Sequence, residues 1–153
     1  SNDYVVGLVD GEGCFTFHSF RRVRANRKIE REKTPAFAIA MHERDEVQLF
    51  MIKRYLDLSC NILILGPYNK DGAKRGKKAV ITVRRLGELK NIIIPLFYRG
   101  LNGYKKHQFF DWLEKIGTDS EVTERYKLLY RLHRTGYYDR ELKPGGLFAE
   151  FAD

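Results

Sequence analysis

The sequence is poor in cysteine, and its two cysteines lie far apart. Among 153 residues only Cys14 and Cys60 carry thiols. They are too few for the disulfide framework of a small secreted domain, and no CxxC pair or Cys/His cluster indicates a zinc site. We expect both to be packed thiols in a reducing compartment.

Long apolar runs and nucleotide-binding loops are missing as well. No apolar run approaches the roughly 20 residues that a membrane helix needs, and no signal peptide is visible. The glycine- and lysine-rich stretch 66–76 has neither Walker nor dinucleotide spacing. No internal repeat or low-complexity tract divides the chain. We therefore expect one soluble, intracellular domain over residues 1–153, because this length suits one buried core better than two.

Positive charge is in clear excess. The chain has 28 lysines and arginines against 20 aspartates and glutamates, a formal net charge of +8, and a pI near 9.5. Such a balance favours a polyanionic partner, nucleic acid first and an acidic membrane surface second.

The most informative stretch lies near the start of the chain. Residues 5–9 have the apolar spacing of a short helix, and Gly7 and Gly11 fall four apart on one side of it. Each glycine costs a helix about 1 kcal/mol relative to alanine. Close packing against another helix explains that cost, because small residues let two backbones approach.

Two carboxylates, Asp10 and Glu12, follow at the C-terminal end of this helix, and Gly13 stops it. Acids there oppose the helix dipole, so helix stability does not explain them. If Gly7 and Gly11 seat the helix against its own copy, the two Glu12 side chains meet, and a divalent cation such as Mg²⁺ can hold them together. The alternative is a short buried helix with two solvated acids, and these residues alone favour neither.

The rest of the chain alternates between strand and helix periodicity. We predict a hairpin with strands at 15–24 and 34–41 and a turn at Ala25 and Asn26, a helix at 42–58, and a second hairpin at 61–65 and 77–85 around the loop 66–76. Helices follow at 86–97 and 102–116. A capping box of Thr118 and Glu121 predicts a last helix to about Arg134, ended by Gly136, and 137–153 read as irregular. The order predicts an α+β fold, a four-stranded antiparallel sheet with helices on one face and the other face open.

The open face has the composition of a DNA-binding surface. A two-stranded ribbon enters the major groove, and about ten strand residues span roughly 33 Å, or about ten base pairs. Candidates for base edges are His18, Arg22, Arg24 and Thr82. Candidates for phosphates are Arg21, Arg27, Lys28, Lys70, Lys74, Arg75, Lys77 and Lys78, and some of these cations will simply face solvent. Thr16, Phe20 and Arg84 complete the predicted surface.

Val5 to Gly13 resembles the LAGLIDADG motif of homing endonucleases. The matching positions hold Gly7, Leu8, Val9, Asp10, Glu12 and Gly13, with Gly11 in the variable slot. The predicted element order is also similar to the αββαββα core of that family over residues 1 to about 116, which leaves a C-terminal helix and tail at about 117–153. The chain has one motif, and the resemblance implies that such a protein works as a homodimer, with Gly7, Gly11 and Val6 at the interface.

The resemblance also implies an activity. Glu12 would bind the catalytic metal with help from the Gly11 carbonyl, Lys105 (or else Lys106) would assist, and Met41 stands where some relatives order a water. His42, beside it, is interpreted as a cap at the start of a helix. We expect a Mg²⁺-dependent nuclease, with Ca²⁺ binding but not supporting cleavage, that makes a staggered double-strand break in a pseudo-palindromic DNA site of about 20 base pairs. Such proteins are often encoded in, and act on, a mitochondrial or chloroplast genome.

Other functions fit the same residues. The protein could be a maturase that binds intron RNA and assists splicing, or a DNA-binding regulator without nuclease activity. A basic, monomeric RNA-associated structural protein that matches the motif by chance is a third reading. Metal-dependent cleavage separates the endonuclease from the first two, and RNA affinity separates the maturase from the regulator. The third predicts a monomer in sedimentation at micromolar concentration.

Overall fold

Helix α1 spans Asn2–Glu12 and leads directly into the first strand. The computed structural model describes residues 1–70, 73–98 and 100–141, without the side chains of 68–70, 73–75, 140 and 141. Ser1 caps α1, because its Oγ accepts a hydrogen bond from the Tyr4 N–H at 3.3 Å. Val5 and Val9 bury one side of the helix against the sheet, at 1% and 0% exposure.

The main sheet has four antiparallel strands, as predicted. Its order is β1, β2, β6, β3, with β1 at Gly13–Val23, β2 at Ile29–His42, β3 at Leu63–Leu65 and β6 at Lys78–Val83. Gly13 lies opposite Ile39 and Val23 opposite Ile29. The hairpin closes where the turn was predicted, with the Arg24 N–H donating to the Lys28 carbonyl at 2.9 Å.

A small second sheet corrects the predicted loop at 66–76. Strands β4 (Tyr68–Lys70) and β5 (Ala73–Arg75) pair with each other there. The loop prediction was wrong for these residues because their backbone groups hydrogen-bond across a short hairpin. Residues 71 and 72, which connect the two strands, lie outside the described part of the chain.

The helices cover one face of the main sheet. They are α2 (Glu46–Leu56) after a 3₁₀ turn at Glu43–Asp45, α3 (Leu86–Glu88), a π turn at Leu89–Ile93, α4 (Ile94–Phe97), α5 (Gly103–Thr118), a 3₁₀ turn at Glu124–Tyr126, α6 (Lys127–Arg134) and α7 (Tyr137–Glu141). The predicted helix at 86–97 therefore contains a π turn, in which the Ile94 N–H donates to the Leu89 carbonyl. Pro95 follows at once, and its missing N–H prevents a regular α-helical bond at that point.

The C-terminal part of the chain differs from the prediction in two places. Thr118 does not cap the last helix, because its hydroxyl donates back to the Glu114 carbonyl at 3.0 Å within α5. The irregular stretch predicted from residue 137 begins instead with α7, and Tyr138 is 0% exposed there. Its hydroxyl donates to the Lys90 carbonyl at 3.0 Å, which fixes α7 to the π turn. Residues 142–153 lie outside the described residues.

The core lies between the sheet and the helices. Phe37, Phe97, Phe109 and Trp112 are among its largest side chains, each at most 2% exposed. They surround Phe15 of β1, whose ring centroid is 4.9 Å from that of Phe109. Among the described helices, none is both long and apolar enough for a membrane span.

Candidate active site and nucleic-acid interface

The C-terminal end of α1 is built around Gly13. Its backbone is extended (φ −87°, ψ 158°), and its N–H donates to the Val9 carbonyl. A Cβ on Gly13 would lie 2.6 Å from Val9 Cγ1, and Val9 is fully buried. Glycine is therefore needed here because of the close contact with Val9, and not because of a left-handed backbone conformation. The predicted helix end is confirmed, and β1 begins directly after Glu12.

Lys105 reaches this junction from the first turn of α5. Its Nζ donates to the Gly13 carbonyl at 2.5 Å. The side chain of Lys105 is half-buried, whereas Lys106 is exposed. Lys105 is therefore the lysine held at the end of α1, beside the residue that follows Glu12. An ammonium group at this point favours negative charge nearby, such as a carboxylate or a phosphate.

The donors at the end of α1 suit a hard divalent cation. Glu12 and Asp10 are exposed, and among the described side chains no lysine or arginine forms a salt bridge with either of them. The Glu12 carboxylate and the Gly11 carbonyl are oxygen donors of the type that Mg²⁺ and Ca²⁺ prefer. Within one chain, the described residues contain no cluster of three or more His, Cys, Asp and Glu side chains. A cation held by Glu12 would therefore need further ligands from a substrate, water or a second chain.

Strand pairing places most of the DNA-contact residues predicted on β1 on one face. Thr16 lies opposite Ala36 and His18 opposite Thr34, and the next residues of the same parity in β1 are Phe20 and Arg22. The His18 and Phe20 rings stack at 6.1 Å, which confirms that they share a face. The backbone of this face is fixed from behind, because Trp112 Nε1 donates to the Thr16 carbonyl at 2.8 Å.

Two acids that the sequence reading missed lie on the same face. Arg24 Nε donates to Glu30 Oε2 at 2.8 Å and Arg24 Nη2 to Glu32 Oε1 at 2.9 Å, while Arg22 Nη1 lies 3.5 Å from Glu32 Oε1. The hydrogen bond to Glu30 raises the pKa of Arg24 above its usual value. The sequence does contain a signal for them. With a turn at residues 25 and 26, Glu30 and Glu32 fall on the same face of the hairpin as Arg22. Arg22 and Arg24 are therefore oriented by carboxylates and are not free cations.

The other predicted contact residues with described side chains lie around this face, except Arg21. Arg27 and Lys28 are exposed at the hairpin tip, and Arg27 has a left-handed backbone with φ 62°. Arg21 pairs with Arg31 on the opposite side of the ribbon from Arg22. The exposed Lys78 and the half-buried Thr82 share the open-face parity of β6, with the exposed Lys77 before them. The side chains of Lys70, Lys74 and Arg75 lie outside the described residues.

Three arginines surround a depression at the end of β6. This arginine depression is lined by Arg84, Arg85, Leu86, Gly87, Arg125 and Tyr126. Its lining contains no acid, and the Arg125 guanidinium lies 5.1 Å from the centroid of the Tyr126 ring. The Tyr126 hydroxyl ties the two segments together by donating to the Arg84 carbonyl at 2.5 Å. Arg85 and Arg125 were not predicted, because only the tertiary fold brings residue 125 to the end of β6.

His42 has the role of a cap. Its Nδ1 accepts a hydrogen bond from the Arg44 N–H at 3.1 Å at the start of the 3₁₀ turn that precedes α2. The interpretation of His42 as a helix-start cap is confirmed. Met41, the residue before it, is half-buried and packs against the core.

Comparison with known families identifies the motif. The model of the family described as LAGLIDADG endonuclease matches residues 5–116. The chain belongs to the LAGLIDADG endonuclease family. The match begins at Val5 and ends at Ile116, so it covers most of α1, both sheets and most of α5. A comparison with curated proteins gives no match.

Solved structures of LAGLIDADG endonucleases share the fold. The I-LtrWI homing endonuclease bound to target DNA is 23% identical with a TM-score of 0.59, over 99% of this chain and 48% of that one. The meganuclease I-CpaMI bound to uncleaved DNA is 17% identical with a TM-score of 0.60, over 96% and 45%. I-SmaMI bound to an uncleaved DNA target with calcium ions is 20% identical with a TM-score of 0.59, over 89% and 44%. The chain thus spans slightly less than half the length of these proteins.

The LAGLIDADG helix leaves its glycine side uncovered. Apart from the neighbouring residues and the backbone of α1 itself, no described atom lies within 4 Å of a Cβ placed on Gly7 or Gly11. Val6 is half-buried and lies against Gly100 of its own chain, since a Cβ on Gly100 would be 3.1 Å from Val6 Cγ1. Beside α1, the Tyr55 hydroxyl donates to Asn2 Oδ1 at 2.8 Å. This bond joins α1 to a stripe of exposed apolar side chains on α2: Val47, Phe50, Met51 and Tyr55.

Proposed function

We propose that this protein is a site-specific homing endonuclease that cuts both strands of a long, pseudo-palindromic DNA target with a divalent cation. The observation that carries the proposal is the junction of α1 and β1, where Lys105 donates to the carbonyl of Gly13, the residue after the exposed Glu12, at the start of a basic, open sheet face. Its relatives I-LtrWI, I-CpaMI and I-SmaMI are described as bound to DNA. That description supports double-stranded DNA as the ligand here.

The shape of the open face suits the major groove. β1 runs for 11 residues from the junction to the hairpin tip, about 36 Å at 3.3 Å per residue. That length corresponds to about ten base pairs of duplex. The cations at the tip, at Lys77 and Lys78 and in the arginine depression flank this surface, where phosphates would run. One chain would therefore cover one half-site.

Two copies are required for two half-sites, and we propose that they meet at α1. The uncovered Gly7 and Gly11 would let the two helices approach closely, and the apolar stripe on α2 would extend the contact. An exposed apolar stripe of this kind is typical of an interaction surface. The two-fold axis would bring both Glu12 residues to the centre of the DNA site, which produces a staggered break in a near-palindromic sequence.

Glu12 and the Gly11 carbonyl would hold the cation, which we propose is Mg²⁺. Bound there, a divalent cation supplies Lewis-acid activation of water and of the scissile phosphate. Lys105 has a separate task. Its ammonium is fixed by the Gly13 carbonyl and partly shielded from water, so it can donate to a phosphate oxygen and stabilise the negative charge that develops there.

Cleavage of a duplex library tests the proposal. A randomised double-stranded DNA library is incubated with the protein in Mg²⁺, Ca²⁺ or EDTA, and the new ends are sequenced. We expect staggered cuts at one long near-palindromic site in Mg²⁺, binding without cleavage in Ca²⁺, and no cleavage in EDTA. Glu12→Gln should lower cleavage at least 100-fold while DNA binding persists, because the substitution removes the cation's carboxylate ligand.

The matched control is Asp3→Asn, which removes a carboxylate at the opposite end of the same helix. It should cleave like the unchanged protein. Binding of one DNA site without cleavage under every metal condition would contradict the nuclease and favour a DNA-binding regulator. Preferential binding of intron RNA, without DNA cleavage, would favour a maturase.

A further inference from the structure

The outer part of the first hairpin contains an ion-pair network with an unusual cost. Glu32 is 8% exposed on the open face, and its Oε1 accepts from Arg24 while its Oε2 has no hydrogen-bond partner among the described residues. Burying a carboxylate oxygen without a partner is unfavourable. Fully paired or apolar side chains would stabilise the hairpin more than this network does. We therefore attribute the network to the orientation that it gives the arginines.

Arg24 is held along one edge of its guanidinium group. Nε is bonded to Glu30 and Nη2 to Glu32, which leaves the two N–H groups of Nη1 and one of Nη2 available. The Arg24 side chain is 45% exposed and that of Glu30 is 41% exposed. Arg24 thus presents fixed donors at the free end of its guanidinium group, and Glu30, bonded at the Nε end through Oε2, keeps Oε1 as an acceptor.

The two acids also indicate which part of a DNA duplex would contact this part of the face. Carboxylates repel phosphates, so Glu30 and Glu32 are unfavourable where a DNA backbone lies. Base edges in the major groove offer both acceptors and donors. Guanine presents N7 and O6 as acceptors, and its paired cytosine presents the N4 amino group as a donor. The free donors of Arg24 and the Oε1 acceptor of Glu30 together match the groups that such a pair offers.

We propose that Arg24 and Glu30 read one G·C base pair, with Arg24 on guanine and Glu30 on cytosine, and that Glu32 positions Arg24. The inference rests on the proposed DNA-binding function and adds a specific base pair to it. Arg24 follows the last residue of β1, 11 residues beyond Gly13. At 3.3 Å per residue the base pair falls about ten positions from the centre of the site, near the outer end of each half-site.

The test compares base preferences of variants on the same selected DNA. The half-site is first defined by binding of the unchanged protein to a randomised duplex library in Ca²⁺. Each outer position is then replaced by the other three base pairs, and affinities are measured over a range of salt. Arg24→Lys keeps the charge but loses the fork of donors. We expect it to lower discrimination for G·C at one outer position by about tenfold or more, with an unchanged salt dependence.

Two further variants separate positioning from general stability. Glu32→Gln should reduce discrimination at that same position, because Arg24 loses its charged partner, while the urea midpoint confirms folding. Arg31→Ala removes an exposed cation from the opposite side of the same strand, and it should leave the preference at that position unchanged.

Each failure has a separate meaning. If the unchanged protein selects no sequence, the proposed function fails. If it selects a site but shows no outer G·C preference, or Arg24→Lys leaves that preference intact, the base-pair assignment alone is wrong. If Arg24→Ala weakens binding equally at every sequence and lowers the salt slope by about one, Arg24 contacts a phosphate instead.

Discussion

Gly13 shows how one residue places the candidate chemistry. The helix ends in an extended conformation that any residue can adopt, so conformational freedom is not what glycine supplies here. The contact with Val9 leaves no room for a Cβ, and the Gly13 carbonyl accepts a hydrogen bond from Lys105. Both the position of Glu12 and the position of Lys105 therefore depend on the close approach of the first strand to the end of α1.

Gly13→Ala should destabilise the fold by about 1–3 kcal/mol, the usual cost of forcing extra atoms into a packed site. The reason is that the new Cβ would lie 2.6 Å from Val9 Cγ1 and 3.1 Å from Val9 Cα, so the backbone must move. Urea unfolding measures the change. Gly87→Ala is the control, because nothing lies within 4 Å of a Cβ there, and it should be neutral or slightly stabilising. Equal midpoints for the two variants would refute the close-packing explanation.

Segment 119–123 completes the free edge of β2 at the scale of elements. The Lys33 N–H donates to the Glu121 carbonyl at 2.8 Å, and the Thr123 N–H donates to the Lys33 carbonyl at 3.0 Å. The Lys33 side chain adds an ion pair with Asp119 Oδ2 at 2.8 Å. These bonds attach the turn after α5 to the hairpin, and they hold the Arg125 side of the arginine depression against the sheet.

Asp119→Asn should lower the urea midpoint at pH 7 but not at strongly acid pH. The hydrogen bond from Lys33 lowers the pKa of Asp119 below its usual 3.8. A lowered pKa in the folded state means that the carboxylate contributes stability above pH 3.8, and that this contribution is lost as pH falls through the folded value. Urea midpoints of both proteins from pH 7 to pH 2 should therefore converge below about pH 3.8. A constant difference over that range would show that the ion pair is not its source.

Helices and strands with a clear periodicity of apolar residues could be predicted from the sequence, whereas tertiary contacts could not. The alternation of Phe15 and Phe17 with polar residues is a local signal for the first strand, and that of Phe37, Ile39 and Met41 for the second. Both strands were predicted, but β2 begins at Ile29 and not at residue 34. α7 lacks such a signal, because it depends on burial of Tyr138 against the π turn. The capping box failed for a related reason, since the Thr118 hydroxyl has the Glu114 carbonyl within reach. In the candidate site, Glu12 was predicted from the motif and Lys105 from the resemblance to the family, but the Glu30 and Glu32 network required the strand register.

At the scale of the whole molecule, the described residues leave a glycine-lined and apolar surface uncovered. Gly7 and Gly11 lie open on α1, and four large apolar side chains are 44% to 69% exposed on α2. The chain is also about half the length of its structural relatives. A second copy would cover this surface and supply the second half-site reader at the same time.

Gly7→Leu should separate the two copies without unfolding either. The described residues leave open space at this position, and leucine is a better helix former than glycine, so the folded chain should tolerate the change. A helix packed against its copy cannot accept the added side chain. Sedimentation at micromolar concentration should show a dimer for the unchanged protein and a monomer for Gly7→Leu, which should also lose double-strand cleavage. Asp111→Leu is the control, because it adds an exposed leucine to α5 away from α1 and should remain a dimer. A Gly7→Leu dimer as tight as the original would exclude the glycine face as the interface, and the contact would then have to be sought on the α2 stripe alone.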